Sequence, residues 1–178
     1  MSFPEFPYHP DPRATGFVRE SDRVCRACGD ARGYVYTGPV FAVEELRDEL
    51  CPWCIADGTA AAAFDAQFTD VDDDVPGDVP PEAVDRIARR TPGFSGWQQE
   101  HWLYHCGDGA AFLGLAGAKE LEPHPDAIDA LRRELDDYGW SQQQVEEYLA
   151  SLDRDGQPTA YLFRCRRCRR HLAYSDFT

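Results

Sequence analysis

The chain is poor in lysine, methionine and long apolar runs. Lys119 stands alone beside 17 arginines, and Met1 is the single methionine. No stretch reaches the roughly 20 apolar residues that a membrane-spanning helix needs. The opening Met1-Ser-Phe-Pro-Glu-Phe-Pro-Tyr-His-Pro10 lacks the charged start and apolar core of a signal peptide. These absences predict a cytoplasmic protein that does not enter a membrane. Positive charge is scarce overall, with 18 basic against 32 acidic side chains and a net charge of −14. Phosphate contacts need Lys and Arg, so general nucleic-acid and anionic-membrane binding are disfavoured, whereas a basic protein partner would fit. Two catalytic or metal motifs are also missing. Glu100-His101 reverses the order of a His-Glu-x-x-His helix. Asp70, Asp72 and Asp74 start a run that resembles a calcium loop, but Val75 and Pro81 stand where that loop requires Gly and Glu.

Seven cysteines are present, and a reducing compartment favours metal ligation over disulfides. Cys25-Arg-Ala-Cys28 and Cys51-Pro-Trp-Cys54 are separated by 22 residues. Each Cys-x-x-Cys turn sets two thiolates on one edge of a tetrahedron, and two such turns close a four-thiolate zinc site with no open position. Between them, Gly33 to Val43 alternates around Gly38-Pro39, which predicts a β-hairpin. The Ala-rich run from Ile55 to Phe68 predicts a helix whose first turn carries the second Cys pair. Knuckle, hairpin and helix in that order read as a treble-clef zinc module.

The expected organisation is α+β: small treble-clef and zinc-ribbon-like modules packed on a helical body. Residues 1–20 form a Pro- and aromatic-rich arm and 21–68 the first module. Residues 69–81 form an acidic linker, and 82–178 a helical body ending in a Cys-x-x-Cys β-hairpin, able to join 21–68 in one compact domain. Helices are expected over 83–90, over 125–138 with Ile128, Leu131 and Leu135 on one face, and after the capping box Ser141–Gln144. Thr159–Phe163, Cys165–Cys168 and His171–Ser175 read as strand, knuckle and strand.

Several phrases resemble the CbrC family: Tyr8-His-Pro-Asp-Pro12, Gly33 to Val40, Cys51-Pro-Trp-Cys-Ile-Ala-Asp-Gly58, Thr91 to Glu100, and Pro158-Thr-Ala-Tyr-Leu-Phe163. The resemblance spans nearly the whole chain. It implies a bacterial cytoplasmic protein with the Cys pairs as family features, and its namesake is associated with colicin tolerance. It supplies no reaction and no catalytic residues.

Cys165 and Cys168 need partners, and Cys106 is the one thiol left. The fourth ligand would come from His105, His101 or His171. The favoured set is His105, Cys106, Cys165 and Cys168, which requires irregular backbone at 105–106, since neighbours on a helix point about 100° apart. The bland alternative is a reduced knuckle without metal. Arg164, Arg166, Arg167, Arg169 and Arg170 surround this knuckle. They read as a screen for thiolate charge before they read as a phosphate contact. Trp97 to Trp102 could line a pocket, although such tryptophans are more often core.

The leading expectation is a non-enzymatic zinc protein that binds another macromolecule. One rival is a thiol–disulfide oxidoreductase using Cys51 and Cys54. The other is a zinc hydrolase on the second cluster, with Glu100 or Asp108 as base.

Overall fold

The computed structural model describes residues 2–71 and 75–176. Asp72 and Asp74 of the rejected calcium loop lie outside the described residues. The chain divides into two compact units, Met1–Gly109 and Ala110–Thr178. No helix among the described residues is long and apolar enough to cross a membrane.

In the first unit, strand β1 (Val18–Glu20) pairs antiparallel with β2 (Tyr34–Tyr36), with Val18 opposite Tyr36 and Glu20 opposite Tyr34. The expected hairpin over 33–43 is therefore corrected. The alternation at 34–36 is real, but its partner strand lies before the first Cys pair. Phe41 instead makes a lone bridge to Gln67. Helices α1 (Pro52–Ala56) and α2 (Thr59–Phe64) replace the single expected helix. Gly58, at φ +85°, breaks it, because a left-handed residue cannot continue an α-helix. Helix α3 (Pro81–Arg90) starts on proline and buries Ile87 and Ala88. Around these short elements Phe6, Val18, Tyr36, Leu46, Leu50, Ile55 and Phe68 form one core with the thiols of Cys25, Cys51 and Cys54. The arm belongs to this unit: Phe6 and Tyr8 are buried, and Phe3 packs against the core.

Two buried polar side chains inside the unit, Tyr36 and His9, are tied to the backbone around them. The Tyr36 hydroxyl donates to the Pro39 carbonyl (2.9 Å) and accepts from the Gly93 amide (3.0 Å). A Cβ at Gly93 would sit 1.7 Å from the Phe68 carbonyl oxygen, so no larger residue fits there. Buried His9 bridges the Pro92 carbonyl (2.7 Å) and the Thr15 hydroxyl (2.6 Å). Burial pushes its imidazole down to about 4. Trp102 is core, tilted at 45° against Phe94, whereas Trp97 is exposed.

The second unit is more regular. Strands β3 (Ala111–Ala116), β4 (Thr159–Arg164) and β5 (His171–Asp176) form an antiparallel sheet in that order. Helices α4 (Ala118–Leu121), α5 (Pro125–Asp136) and α6 (Gln142–Ser151) lie between β3 and β4 in sequence. Ala127, Leu131 and Leu135 recur every four residues and bury one face of α5. Each fully buried Leu contributes about 2 kcal/mol of transfer free energy. Ser141 caps α6, with its amide donating to Gln144 Oε1 (2.9 Å) and the Gln144 amide donating back to Ser141 Oγ (3.4 Å). The units also differ in charge. Residues 1–109 carry nine basic and 20 acidic side chains, and residues 110–178 carry nine and 12.

Candidate metal centres

Cys25 and Cys28 sit on a tight turn. The Gly29 amide donates to the Cys25 carbonyl (2.8 Å), and the Cys25 amide donates to the Asp30 carbonyl (2.9 Å). Gly29 closes the turn at φ +74°, a conformation that costs glycine nothing. Cys51 is the N-cap of α1, with Pro52 at the first helical position. Backbone bonds tie the chain ahead of Cys51 to the first turn and to β2: the Arg26 amide donates to the Glu49 carbonyl (3.0 Å) and the Tyr36 amide to the Leu50 carbonyl (2.9 Å).

The four sulfur atoms of Cys25, Cys28, Cys51 and Cys54 lie within 4.8 Å of one another, so they could hold a metal ion. A tetrahedral ion with bonds of ~2.3 Å separates its sulfurs by about 3.8 Å, which this cluster accommodates. Cys25, Cys51 and Cys54 are at most 2% exposed. The Cys51 amide donates to Cys25 Sγ (3.3 Å), an N–H···S contact that favours a thiolate. The Cys51 thiol, hydrogen-bonded to Cys25, holds Cys25 far below the usual thiol range and is itself pushed up. Burial pushes Cys54 up to about 12. Four sulfurs this close cannot all ionise against one another. A cation among them would remove that conflict, and the chemistry of the donor set therefore fits one.

No cysteine is joined in a disulfide among the described residues. Among the described residues the strand ahead of α1, β2, pairs with β1 alone, and antiparallel. The parallel strand–helix–strand setting of a dithiol oxidoreductase is thus not found around Cys51 among the described residues.

In the first unit, His105 and Cys106 lie in a tight loop, not a helix. Tyr104 bridges Gly109, the His105 amide donates to the Asp108 carbonyl (2.9 Å), and Cys106 adopts φ +55°. Cys106 Sγ and His105 Nδ1 are 3.1 Å apart, so these neighbours do point the same way. In the second unit, Cys165 and Cys168 form a turn like the first. The Arg169 amide donates to the Cys165 carbonyl (3.1 Å), the Cys165 amide to the Arg170 carbonyl (2.8 Å) and the Cys168 amide to Cys165 Sγ (3.4 Å). Cys165 is buried and Cys168 exposed.

The remaining candidates have structural duties. The His171 amide donates to Asp126 (2.6 Å), and its ring lies 4.0 Å from that of His124. Burial, then the neighbouring His124, lowers the His171 imidazole below its ordinary value. His101 is exposed on an irregular stretch. Asp108 accepts from the Tyr8 hydroxyl (2.8 Å) and the Gly109 amide (2.8 Å). Glu100 accepts from the Gly96 amide (3.0 Å). The carboxylates considered as general bases thus tie the backbone and the arm in place. Arg166, Arg167, Arg169 and Arg170 are exposed and Arg164 half-buried. The Asp126–His171 pairing escaped sequence reading, because 45 residues separate the partners.

The model of an uncharacterised protein family, UPF0167, matches residues 3–177. A UPF0167 protein of Mycobacterium bovis is 55% identical over 177 residues, covering 99% of this chain and 95% of the relative. A Mycobacterium tuberculosis relative matches to the same extent. A UPF0167 protein of Pseudomonas aeruginosa is 39% identical over 176 residues, covering 98% of this chain and 97% of its own. No solved structure matches the chain.

Proposed function

The chain belongs to the UPF0167 family, and from that premise we propose that it is a zinc-stabilised binding protein, CbrC-like in type, not an enzyme. Zinc is the ion of choice for four thiolates because it is borderline-soft, redox-inert and content with tetrahedral geometry. The observation that carries this reading is the approach of four sulfurs, three of them buried, with no donor position left for water. Such a closed centre supplies folding energy, not chemistry.

Ligand arithmetic extends the proposal to a second ion on His105, Cys106, Cys165 and Cys168. Cys106 is the one thiol outside the two Cys pairs of the first centre and the Cys165–Cys168 turn. Its 3.1 Å contact with His105 Nδ1 gives adjacent residues a common direction. The partner is a basic macromolecule, since the net charge of −14 would attract one and steer its approach. The compartment is the reducing bacterial cytoplasm, where thiols stay available to metal.

Metal analysis of the purified protein, paired with thiol titration before and after chelation, tests the reading. The expected result is zinc at one or two per chain, with at least four thiols unreactive until chelator is added. Metal-free protein with a reversible Cys51–Cys54 disulfide would replace it by the oxidoreductase.

A further inference from the structure

Beside the first Cys turn lies a cavity of about 600 Å³ that the metal reading does not use. One wall is aromatic. Phe3, Tyr34 and Trp53 pack edge to face or tilted, with ring centres 5.5 to 6.2 Å apart. The rings come from three separated parts of the sequence: the arm, β2 and α1. The Trp53 indole N–H donates to the Ser2 carbonyl (2.9 Å), which fixes that ring.

The cavity is also basic, in a chain that is otherwise acidic. Arg13 lies over the Phe3 ring, 4.6 Å from its centre, and 5.9 Å from that of Tyr34. Among the described residues no carboxylate forms an ion pair with Arg13. Arg32 lines the same cavity, 3.5 Å from Asp30. An aromatic wall alone would suit a cation, but Arg13 already covers the Phe3 face and would repel one. Planar rings and two guanidinia together suit a ligand with a planar body and an anionic end.

We propose that this cavity binds a nucleoside monophosphate. Its base stacks against the Tyr34–Trp53 wall, its phosphate pairs with Arg13 and Arg32, and Asp30 accepts from an amino or imino group on the base. The volume falls in the ordinary range for small-molecule sites. The surrounding charge, nine basic against 20 acidic side chains in residues 1–109, opposes a polyanionic strand while leaving room for a single phosphate. The inference does not depend on which metal the neighbouring thiols hold.

Calorimetric titration of the full chain with guanosine monophosphate tests it, beside guanosine, inorganic phosphate and a short single-stranded RNA. The expected result is saturable binding of the monophosphate, with the nucleoside and phosphate each at least about tenfold weaker. Arg13→Gln should weaken the monophosphate about tenfold or more, the loss of one charge-assisted contact. Arg13→Lys, which keeps the charge but not the planar fork, should fall between. Far-ultraviolet circular dichroism confirms the fold of both variants. If Arg13→Gln does not fold, Trp53→Phe serves instead and should abolish most of the tryptophan quenching by the nucleotide. No binding at millimolar nucleotide would overturn the proposal. So would an unchanged affinity in both Arg13 variants, or RNA binding more tightly than the monophosphate.

Discussion

At Cys25 and at Cys165 the backbone closes one kind of ring. The cysteine carbonyl accepts from the residue four ahead, and the cysteine amide donates to the carbonyl five ahead. The residue that turns left-handed is Gly29 in the first turn, at φ +74°, and Arg169 in the second, at φ +68°. The first turn shares its unit with two more thiols that complete a donor set. The second lies in Ala110–Thr178, which holds no other cysteine. Turn geometry is thus set by the backbone within each turn. What separates the units is where their stability originates. The first has helices of five and six residues beside its thiols and a core into which those thiols are built. The second has a three-stranded sheet and two helices of ten or more residues with ordinary apolar faces.

The sharpest way to break this comparison is to remove the first metal. Cys51→Ser, or a strong chelator, should unfold residues 1–109. Structural zinc contributes free energy on the scale of the whole stability of a domain, about 5–15 kcal/mol. Amide hydrogen exchange should then show protection lost in β1, β2 and α1 but kept in α5. Equal loss in both regions would erase the distinction. The converse change is Leu131→Ala. It empties a fully buried position and should cost about 2–5 kcal/mol, with thiol protection at Cys25 and Cys51 unchanged.

Acid offers a third comparison. The folded His9 titrates near 4 instead of 6.5. Its neutral form therefore contributes stability that is complete above about pH 6.5 and is lost as pH falls towards 4. The difference amounts to about 3 kcal/mol. His171 is also lowered, so its contribution has the same sign; being only partly buried, it should add less. A stability profile from pH 7 to 4 should flatten most in His9→Gln. If that variant keeps the wild-type slope, His9 is not the acid-sensitive group. The smallest effect concerns Arg169. A non-glycine side chain at positive φ costs roughly 0.5–1 kcal/mol. Arg169→Gly should raise the second unit's stability by that amount, and a drop in melting temperature would show that the side chain has an overriding contact.

Legibility in the sequence follows the range of the interaction that fixes each element. The Cys pairs were legible because two ligands three residues apart already define a turn. Helices α5 and α6 were legible from Pro125, Ser141 and the spacing of Ile128, Leu131 and Leu135, although the fully buried face takes Ala127, with Ile128 only partly buried beside it. Strand β3 was not, because Ala111-Phe-Leu-Gly-Leu-Ala116 is mostly buried and carries no alternation. The 33–43 hairpin was misread because β2 pairs with β1 across an intervening chain segment, where local alternation says nothing about the partner. The wall of Phe3, Tyr34 and Trp53 was equally hidden, since only the fold gathers residues so far apart.

Cobalt(II) titration of the reduced, metal-free chain addresses the four-thiolate centre most directly, because cobalt reports both ligand type and geometry where zinc is silent. The account predicts intense sulfur-to-metal charge transfer with tetrahedral ligand-field bands, displaced by zinc and lost in Cys51→Ser. Weak octahedral bands, or a spectrum unchanged by that substitution, would contradict it.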